Sequence, residues 1–425
     1  MKAPLHLFIA VALGLPRVAA SYAAYVSGPL LAVRWVTQRA LVTAVLLVGY
    51  LLLVLGLNAA IGLKVSPVAW LFELALLLPF LLATFGLPLA RNFDGRKLIR
   101  ILNVIVFVMS FVTLVRLGFP FQIPYVHYLP DAFDGGFGAG GAKTVTVIGF
   151  FGLLELFSGR RDKPIYQDYF LYIAGINFII PNFILGIVAG VCGLAMFAPK
   201  NRSLILAGAV AAVAITPYII LRTETKNSSF AEYYKYDPKL YAYKLVGDIY
   251  LDQPQTALIG AGLGQYAGEA AIWASPINQV FGESRVGNIP YLTSSDVHLK
   301  HLAPTMLRFR DNVYAIESSS NKPYSGISVL LVEGGLIFTL LIVLLLYNRF
   351  WRHRLSYIGK ACFVFFLAMN LLDNQLDSPW YGTLLFAVAE IVQREKRRAT
   401  RRTSLRTKKL AGVGPAMLPG SPVLI

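Results

Sequence analysis

Long apolar segments recur through most of this chain of 425 residues. Several are about 20 residues long, the length that a helix needs to cross a bilayer core of roughly 30 Å. The composition agrees, because the mean hydropathy is +0.61, 56% of the residues are hydrophobic and only 14% are charged. These values exclude an ordinary soluble domain and predict an all-α polytopic integral membrane protein.

The net charge of +17 is concentrated near the C-terminus. Nine Lys or Arg residues and one Glu lie between Arg394 and Lys409, directly after the last apolar segment. The positive-inside rule places this segment in the cytoplasm, where we expect it to orient the protein against anionic lipid headgroups. We expect no nucleic-acid partner, because neither aromatic interleaving nor a nucleic-acid-binding motif accompanies the charge.

The other basic clusters, at 91–97, 160–163, 200–202 and 348–354, set the remaining topology by the same rule. The predicted spans are 40–62, 67–90, 98–118, 144–158, a short pair between 165 and 199 broken near Pro181, 203–221, 326–347, 356–372 and 378–392. Residues 5–33 add two poor spans or an interfacial helix, with a cleavable signal peptide as the alternative. The total is about ten to twelve helices. The chain then divides into an N-terminal helix bundle (1–221), a large exoplasmic loop (222–325), C-terminal helices (326–392) and a basic cytoplasmic tail (393–425).

The predicted loop, residues 222–325, is the one long hydrophilic part of the chain. It is rich in Tyr and carries ten Lys or Arg against ten Asp or Glu. Aromatic faces offer apolar platforms for sugars, and we expect this role of Tyr266 and Trp273, deep in the loop. Residues 233–243 lie close to the membrane exit, where Tyr residues more often anchor a protein at the interface.

Two short motifs resemble one family. Residues 324–335, Tyr-Ser-Gly-Ile-Ser-Val-Leu-Leu-Val-Glu-Gly-Gly, resemble the loop-to-helix junction of the O-antigen ligase and polymerase superfamily. In that family a His-Asn pair leads into a helix of the form Leu-x-x-Leu-x-Glu-x-Gly. Residues 260–266, Gly-Ala-Gly-Leu-Gly-Gln-Tyr, resemble its Gly-x-Gly-x-Gly-aromatic element. This chain departs from the pattern with Tyr324 and Ser325 in place of His and Asn, and with Phe338 in place of a second helix glycine.

The resemblance implies a glycosyltransferase of the GT-C type that is inverting, independent of metal and without a cofactor. A glycan on polyprenyl pyrophosphate would be attacked by a sugar hydroxyl at the outer face of the membrane. The leaving phosphate gains negative charge, which Arg side chains stabilise well. The candidate phosphate contacts are Arg285 and Arg310, followed by Arg222, Arg308 and Arg116.

The attacking hydroxyl benefits from a base. The candidates for this base are His298, His301, Glu269, Asp296, Asp311 and Glu317. Tyr324, where the family has His, is a candidate at the reaction centre for a hydrogen bond to phosphate or sugar, because a phenol with an ordinary pKa of about 10 is a poor base at neutral pH. Their i,i+3 spacing would place His298 and His301 on one face of a helix. Two imidazoles without a third ligand make a weak zinc signal, so we predict no metal. Further candidates for substrate contact are Gly260, Gly262, Gly264, Glu317, Asn321 and Lys322. Glu333, at the start of the next helix, is predicted to pack the helix junction.

The resemblance therefore implies a polymerase of the bacterial inner membrane that joins repeat units carried on undecaprenyl pyrophosphate at the periplasmic face. A chain-length regulator and a flippase of the same pathway are possible partners. The closest alternative is a ligase that transfers finished glycan to lipid A-core or to protein. A second alternative is a non-enzymatic flippase for lipid-linked oligosaccharides, although such a protein needs no folded loop of 104 residues.

Overall fold

The fold is known from a computed structural model. It describes residues 38–85, 94–116, 141–158, 168–181, 184–197, 238–275, 291–307, 324–352, 356–376 and 379–412. Every regular element in these ranges is a helix, and none of them contains a strand. This agrees with the predicted all-α class. The predicted segments 5–33 and 203–221 lie outside the described residues.

The described residues of the N-terminal part form six helices. They are α1 (Gln38–Ala60), α2 (Pro67–Phe85), α3 (Gly95–Arg116), α4 (Gly141–Ser158), α5 (Phe170–Ile179) and α6 (Ile184–Leu194), which ends in a 3₁₀ turn at Ala195–Phe197. Their bounds follow the apolar segments closely, because each segment is bordered by Gly, Pro or charged residues that end the apolar run.

The predicted loop holds short helices, and long helices follow it. Within the loop lie α7 (Pro238–Asp252), α8 (Pro254–Ile259), α9 (Glu269–Ala274), a π-helical turn at His298–Leu302 and α10 (Ala303–Leu307). The next element runs from α11 (Gly326–Val329) through a π turn (Leu330–Gly334) into α12 (Gly335–Leu346) and a second π turn (Tyr347–Trp351). The last two helices are α13 (Tyr357–Leu372) and α14 (Pro379–Gly412).

The helices have the surface of a membrane protein. Gly95–Val115 and Gly326–Trp351 are long and apolar enough to cross a bilayer, and shorter apolar helices surround them. Large apolar side chains are exposed at helical spacing on α3, at Val104, Val108, Phe111 and Val115. A second such stripe covers α12 at Leu336, Ile337, Leu340, Leu341 and Leu344. Continuous apolar stripes of this kind suit contact with lipid rather than with water.

The bundle core is aromatic and closely packed. Phe150 of α4 stacks on Phe365 of α13 with ring centroids 3.9 Å apart, and Phe80 of α2 stacks on Phe366 at 5.8 Å. A separate core lies in the loop, where Tyr266, Val297 and Leu302 pack against Val329 and Val332 of the following helix. The loop is thus a folded unit that shares its core with the start of the α11–α12 element.

One end of the bundle, which we call the charged end, is held by ion pairs. Arg100 donates to Glu155 at 2.9 Å, Arg96 lies 3.4 Å from the same carboxylate and 3.5 Å from Glu395, and Ser356 donates to Glu395 at 2.9 Å. The segments predicted to be cytoplasmic therefore meet at one end.

The opposite end, which we call the loop end, joins segments predicted to lie outside. Lys143 at the start of α4 lies 2.9 Å from the Asp373 carboxylate and donates to the carbonyl of Asn374 at 2.6 Å. The backbone N–H of Gly326 donates to the carbonyl of Asp373 at 3.0 Å. The end of the loop thus rests on the α13–α14 connection.

Helices α5 and α6 form a hairpin that enters the bundle from the charged end and returns to it. The Arg100 guanidinium lies 5.1 Å from the ring centroid of Phe170, where the hairpin begins. The ring of Phe197, where it finishes, lies 6.1 Å from that of Tyr357. Ten helical residues rise only about 15 Å, half of a bilayer core. Near the tip, Asn177 donates to the carbonyl of Asn103 at 2.8 Å, in the middle of α3. The short pair predicted around Pro181 is therefore a hairpin whose two feet both lie at the charged end of the bundle.

A cysteine-labelling experiment tests this hairpin. In a background with Cys192 and Cys362 changed to Ser, we expect Tyr169→Cys and Ala195→Cys to react with a membrane-impermeant maleimide from the same side of oriented vesicles. Both positions are exposed at the two feet of the hairpin. Leu251→Cys, exposed on the loop, should react only from the opposite side. Reaction of the two hairpin positions from opposite sides would show a full crossing instead.

Candidate functional site

The carboxylate of Glu333 holds the loop onto the following helix. Its two carboxylate oxygens, Oε1 and Oε2, accept four backbone hydrogen bonds from one tight turn, Gly264 to Gly268. Gly264 donates to Oε2 at 2.7 Å, and Tyr266, Ala267 and Gly268 donate to Oε1 at 3.0, 3.1 and 2.9 Å. The side chain is only 1% exposed. We call this arrangement the Glu333 clasp.

The π turn at Leu330–Gly334 provides the backbone half of the clasp. A π turn disturbs the regular helix ladder, and here carbonyls of the turn accept from the loop. Ala261 donates to the carbonyl of Val332 at 2.7 Å, and Gly262 donates to that of Glu333 at 3.0 Å. The carboxylate and the main chain of one short segment therefore bind the same loop turn.

The glycines of the Gly-x-Gly-x-Gly element make this approach possible. Gly260, Gly262 and Gly264 all have positive φ, at +84°, +101° and +69°, a region that favours glycine. A Cβ on Gly260 would also collide with the backbone of Glu333 and Gly334. The structure thus places two of the three predicted substrate-contact glycines tightly against protein: Gly260 against the π turn at Leu330–Gly334, and Gly264 against Ala69 of α2.

A second buried glutamate supports the clasp from α2. Oε2 of Glu73 accepts from the backbone N–H of Ala270 at 3.0 Å, in the first turn of α9. Gly268 lies directly against the Glu73 carboxyl, with no room for a Cβ. An acidic side chain at a helix start satisfies N–H groups that have no partner within the helix. The α2 helix and the α11–α12 element therefore both bind the Gly264–Gly268 turn and the start of α9.

The α1–α2 connection binds the same part of the loop. The Gln265 amide accepts from the backbone N–H of Ser66 at 2.7 Å and donates to its carbonyl at 3.0 Å. Asn58 donates to the carbonyl of Gly260 at 3.0 Å. The loop is consequently fixed both to the helices that precede it in the chain, α1 and α2, and to the helix that follows it.

His298, a predicted candidate for the base, is buried in the loop. Its ring is fully buried, with Nδ1 2.7 Å from the carbonyl of Tyr266 and Nε2 2.8 Å from the hydroxyl of Ser275. Because a carbonyl only accepts, Nδ1 carries the proton and Nε2 accepts from Ser275. Burial lowers the pKa of His298 below its ordinary value, so the ring is neutral. No ring nitrogen remains for a substrate.

His301 has different surroundings from His298, although the two are three residues apart. Its Nε2 lies 3.3 Å from Oδ2 of Asp252. Lys300 donates to both oxygens of that carboxylate, at 2.7 and 2.6 Å, and these hydrogen bonds lower the pKa of Asp252. Within the described ranges, no group of three or more His, Cys, Asp or Glu side chains has the arrangement of a metal site.

Tyr266 and Trp273 do not form an open sugar platform. The Tyr266 side chain has no exposed surface, and burial raises the pKa of its phenol. Trp273 is half-buried, donates to Oε1 of Glu269 at 3.1 Å and meets the ring of Phe72 edge-on. The ring of Tyr266 fills the loop core, and its predicted contact with a sugar stays a prediction.

Tyr324 is also buried, and it directly precedes a capped helix start. It packs in the loop core with Tyr266. Ser325 and Ser328 form a reciprocal capping box, in which Ser325 Oγ accepts from the N–H of Ser328 at 3.2 Å and Ser328 Oγ accepts from that of Ser325 at 2.8 Å. This pattern fixes the helix start at Gly326. A side chain with the burial of Tyr324 is not presented to a solvent-borne ligand.

The remaining predicted site residues lie beyond the described part of the chain. Arg116 is the last residue of α3, and its side chain is not described. The others are Arg222, Arg285, Arg308, Arg310, Asp311, Glu317, Asn321 and Lys322. Their predicted contacts with pyrophosphate or sugar stay predictions.

Two residues that sequence reasoning passed over help to build the site. Lys143 crosses from the start of α4 to Asp373, and Gln253 lines a groove described below. For Lys143, the sequence does hold a signal, because it is a single Lys between a glycine-rich stretch and an apolar helix. Gln253 carries no such signal, because a single amide beside Pro254 looks like any helix boundary.

No protein-family model matches the chain, and no curated protein is significantly similar to it. The resemblance to the O-antigen ligase and polymerase superfamily therefore stays a prediction from residues 260–266 and 324–335. The described contacts bring these two motifs together through the Glu333 clasp.

Replacing Glu333 tests the clasp. Glu333→Gln leaves one acceptor oxygen and turns an amide donor toward N–H groups, so we expect a loss of about 2–4 kcal/mol in stability. The measurements are the Tm of the purified protein and its rate of proteolysis within the loop. Glu269→Gln is the matched control, because its amide oxygen can still accept from Trp273. Equal melting of Glu333→Gln and the wild type would contradict the clasp.

Burial of His298 predicts a pH dependence of stability. The unfolded chain takes up a proton below pH 6.5, the ordinary pKa, while the folded ring stays neutral. Stability should therefore fall as the pH drops below this value, by up to about 1.4 kcal/mol per pH unit. His298→Gln should lose this part of the slope and His301→Gln should keep it, as measured by Tm between pH 7.5 and 5.5. An unchanged slope in His298→Gln would contradict the assignment.

Proposed function

We propose that this protein is a polysaccharide polymerase that joins repeat units carried on undecaprenyl pyrophosphate. The proposal includes about ten to twelve transmembrane helices, a bacterial inner-membrane location and a loop on the periplasmic side. What supports it best is that the two motifs of the resemblance, 69 residues apart at Gly264 and Glu333, form one hydrogen-bonded unit. Two motifs of one family that also contact each other in the fold support the resemblance more strongly than either motif does alone.

The proposed reaction needs a phosphate site and an accepting hydroxyl. The hydroxyl oxygen of one sugar forms a bond with the anomeric carbon of another, the bond from that carbon to the pyrophosphate oxygen breaks, and the configuration inverts. The hydroxyl proton passes to a base and the negative charge passes to the pyrophosphate. Arg285 and Arg310 are proposed to stabilise that charge, because a guanidinium pairs with two phosphate oxygens at once.

The candidate base is narrowed by the described contacts. His298 has both ring nitrogens engaged. The described contacts of His301 use Nε2 alone, on the Asp252 carboxylate. A base oriented by a carboxylate is a common catalytic arrangement. We therefore propose His301, oriented by Asp252, in place of His298.

Reconstitution with a single substrate tests this function. Purified protein in vesicles receives undecaprenyl-pyrophosphate-linked repeat units alone, and the products are separated on a gel. A ladder of increasing length is expected. Arg285→Ala and Arg310→Ala should each lower its rate about 100-fold or more, as loss of a charge-stabilising donor does. Lys244→Ala is the control, since this cation is exposed on α7 and lies 5.3 Å from the ring centroid of Tyr241.

Each of the other outcomes of this assay indicates a different function. Transfer that requires added lipid A-core would make the protein a ligase. Movement of the lipid-linked unit across the vesicle membrane without new glycosidic bonds would make it a flippase. No transfer to any acceptor would refute the catalytic role of the loop.

A further inference from the structure

A groove of about 380 Å³ opens where the loop meets the α1–α2 connection. It is lined by Leu63, Gln253, Asp296, Leu299 and Lys300. Three segments contribute: the α1–α2 connection, the residue after α7 and the start of the π turn at His298–Leu302. Its volume falls within the range of small-ligand sites. None of its lining residues belongs to the Glu333 clasp, so the groove is a separate feature.

Gln253 points to a ligand in this groove. Its side chain is only 7% exposed, and its Oε1 is buried without a hydrogen-bond partner among the described residues. Its backbone is fixed, because its N–H donates to Ile249 at 2.8 Å and its carbonyl accepts from Thr256 at 2.9 Å. A buried amide oxygen without a donor is unfavourable and uncommon. Gln253 therefore places beside the groove an amide oxygen that lacks a donor, and a turn of this side chain into the groove would let the oxygen accept from an incoming O–H or N–H group.

The other walls narrow the ligand's chemistry. Asp296 is held rigidly, with Oδ2 accepting from the N–H of Lys64 at 2.8 Å and its own N–H donating to the carbonyl of Lys64 at 3.0 Å. Lys300 supplies an ammonium, but Asp252 already pairs with it. Among the lining residues the only cation is therefore already paired with a carboxylate, which leaves no spare positive charge in the lining for a phosphate. Leu63 and Leu299 add apolar walls.

We propose that this groove binds an uncharged sugar residue of the glycan, with a sugar hydroxyl donating to Oε1 of Gln253. A sugar presents hydroxyl groups at its rim and C–H groups on its faces, which matches an amide and a carboxylate between two leucines. The groove also lies beside the α1–α2 connection, at the loop end of the bundle, where a glycan on a membrane lipid would emerge. Its assignment to a glycan subsite rests on the proposed function, whereas sugar binding itself can be tested without turnover.

The test measures sugar binding to the full-length protein in detergent by saturation-transfer NMR. The probes are neutral di- and trisaccharides of glucose, galactose, N-acetylglucosamine and rhamnose, without lipid or phosphate. We expect at least one probe to bind, and Gln253→Leu to weaken it at least tenfold. Gln255→Leu is the matched control, two residues away and outside the groove lining. Inorganic phosphate should not displace the sugar.

Gln253→Leu should also melt no lower than the wild type, since it removes a buried acceptor that lacks a donor. Binding of no probe, or equal binding by Gln253→Leu and the wild type, would overturn the proposal. The polymerisation assay separates the two hypotheses. Sugar binding without a ladder would refute the polymerase and keep the groove, whereas a ladder without sugar binding at Gln253 would do the reverse.

Discussion

A polar loop that is attached to a helix bundle only at its two ends needs further contacts to fix its position. In this protein the buried carboxylate of Glu333 supplies such a contact, because four N–H groups of the Gly264–Gly268 turn donate to it. Successive N–H groups in a tight turn form a concave anion site, here filled by a side chain of the protein itself. The position of α9 and the packing of Tyr266 follow from this anchor.

The fold was largely accessible from sequence, since its determinants are local. Apolar length gave the helix bounds of α1 to α4 within a few residues, and charge grouped the segments that meet at Arg96 and Glu155. The end of α14 differs from the prediction, in which the last span ends at residue 392 and the basic tail is separate from it. Ala, Leu, Lys and Arg all favour helix, so the helix continues to Gly412.

The candidate site was less accessible, for a physical reason. Tyr and His are amphipathic, and neither composition nor spacing tells whether such a side chain faces a ligand or a core. Burial of His298 depends on Tyr266 and Ser275, which lie 32 and 23 residues away. The clasp likewise joins Glu333 to residues more than 60 positions earlier. Pairings of this length are set by tertiary packing, and a single sequence carries no direct record of them.

The clasp and the groove divide the loop into a closed part and an open part. In the clasp, the Glu333 carboxylate and the four N–H groups that face it are paired with each other, so a ligand could enter only by breaking those hydrogen bonds. In the groove, Oε1 of Gln253 has no partner among the described residues, while the backbone of Gln253 is held in place and its neighbours are anchored through Lys64 and Asp252. A ligand that binds there gains hydrogen bonds without displacing any that hold the loop. Preorganisation of this kind lowers the cost of binding, which makes the groove, rather than the motif glycines, the better place for this loop to meet a sugar.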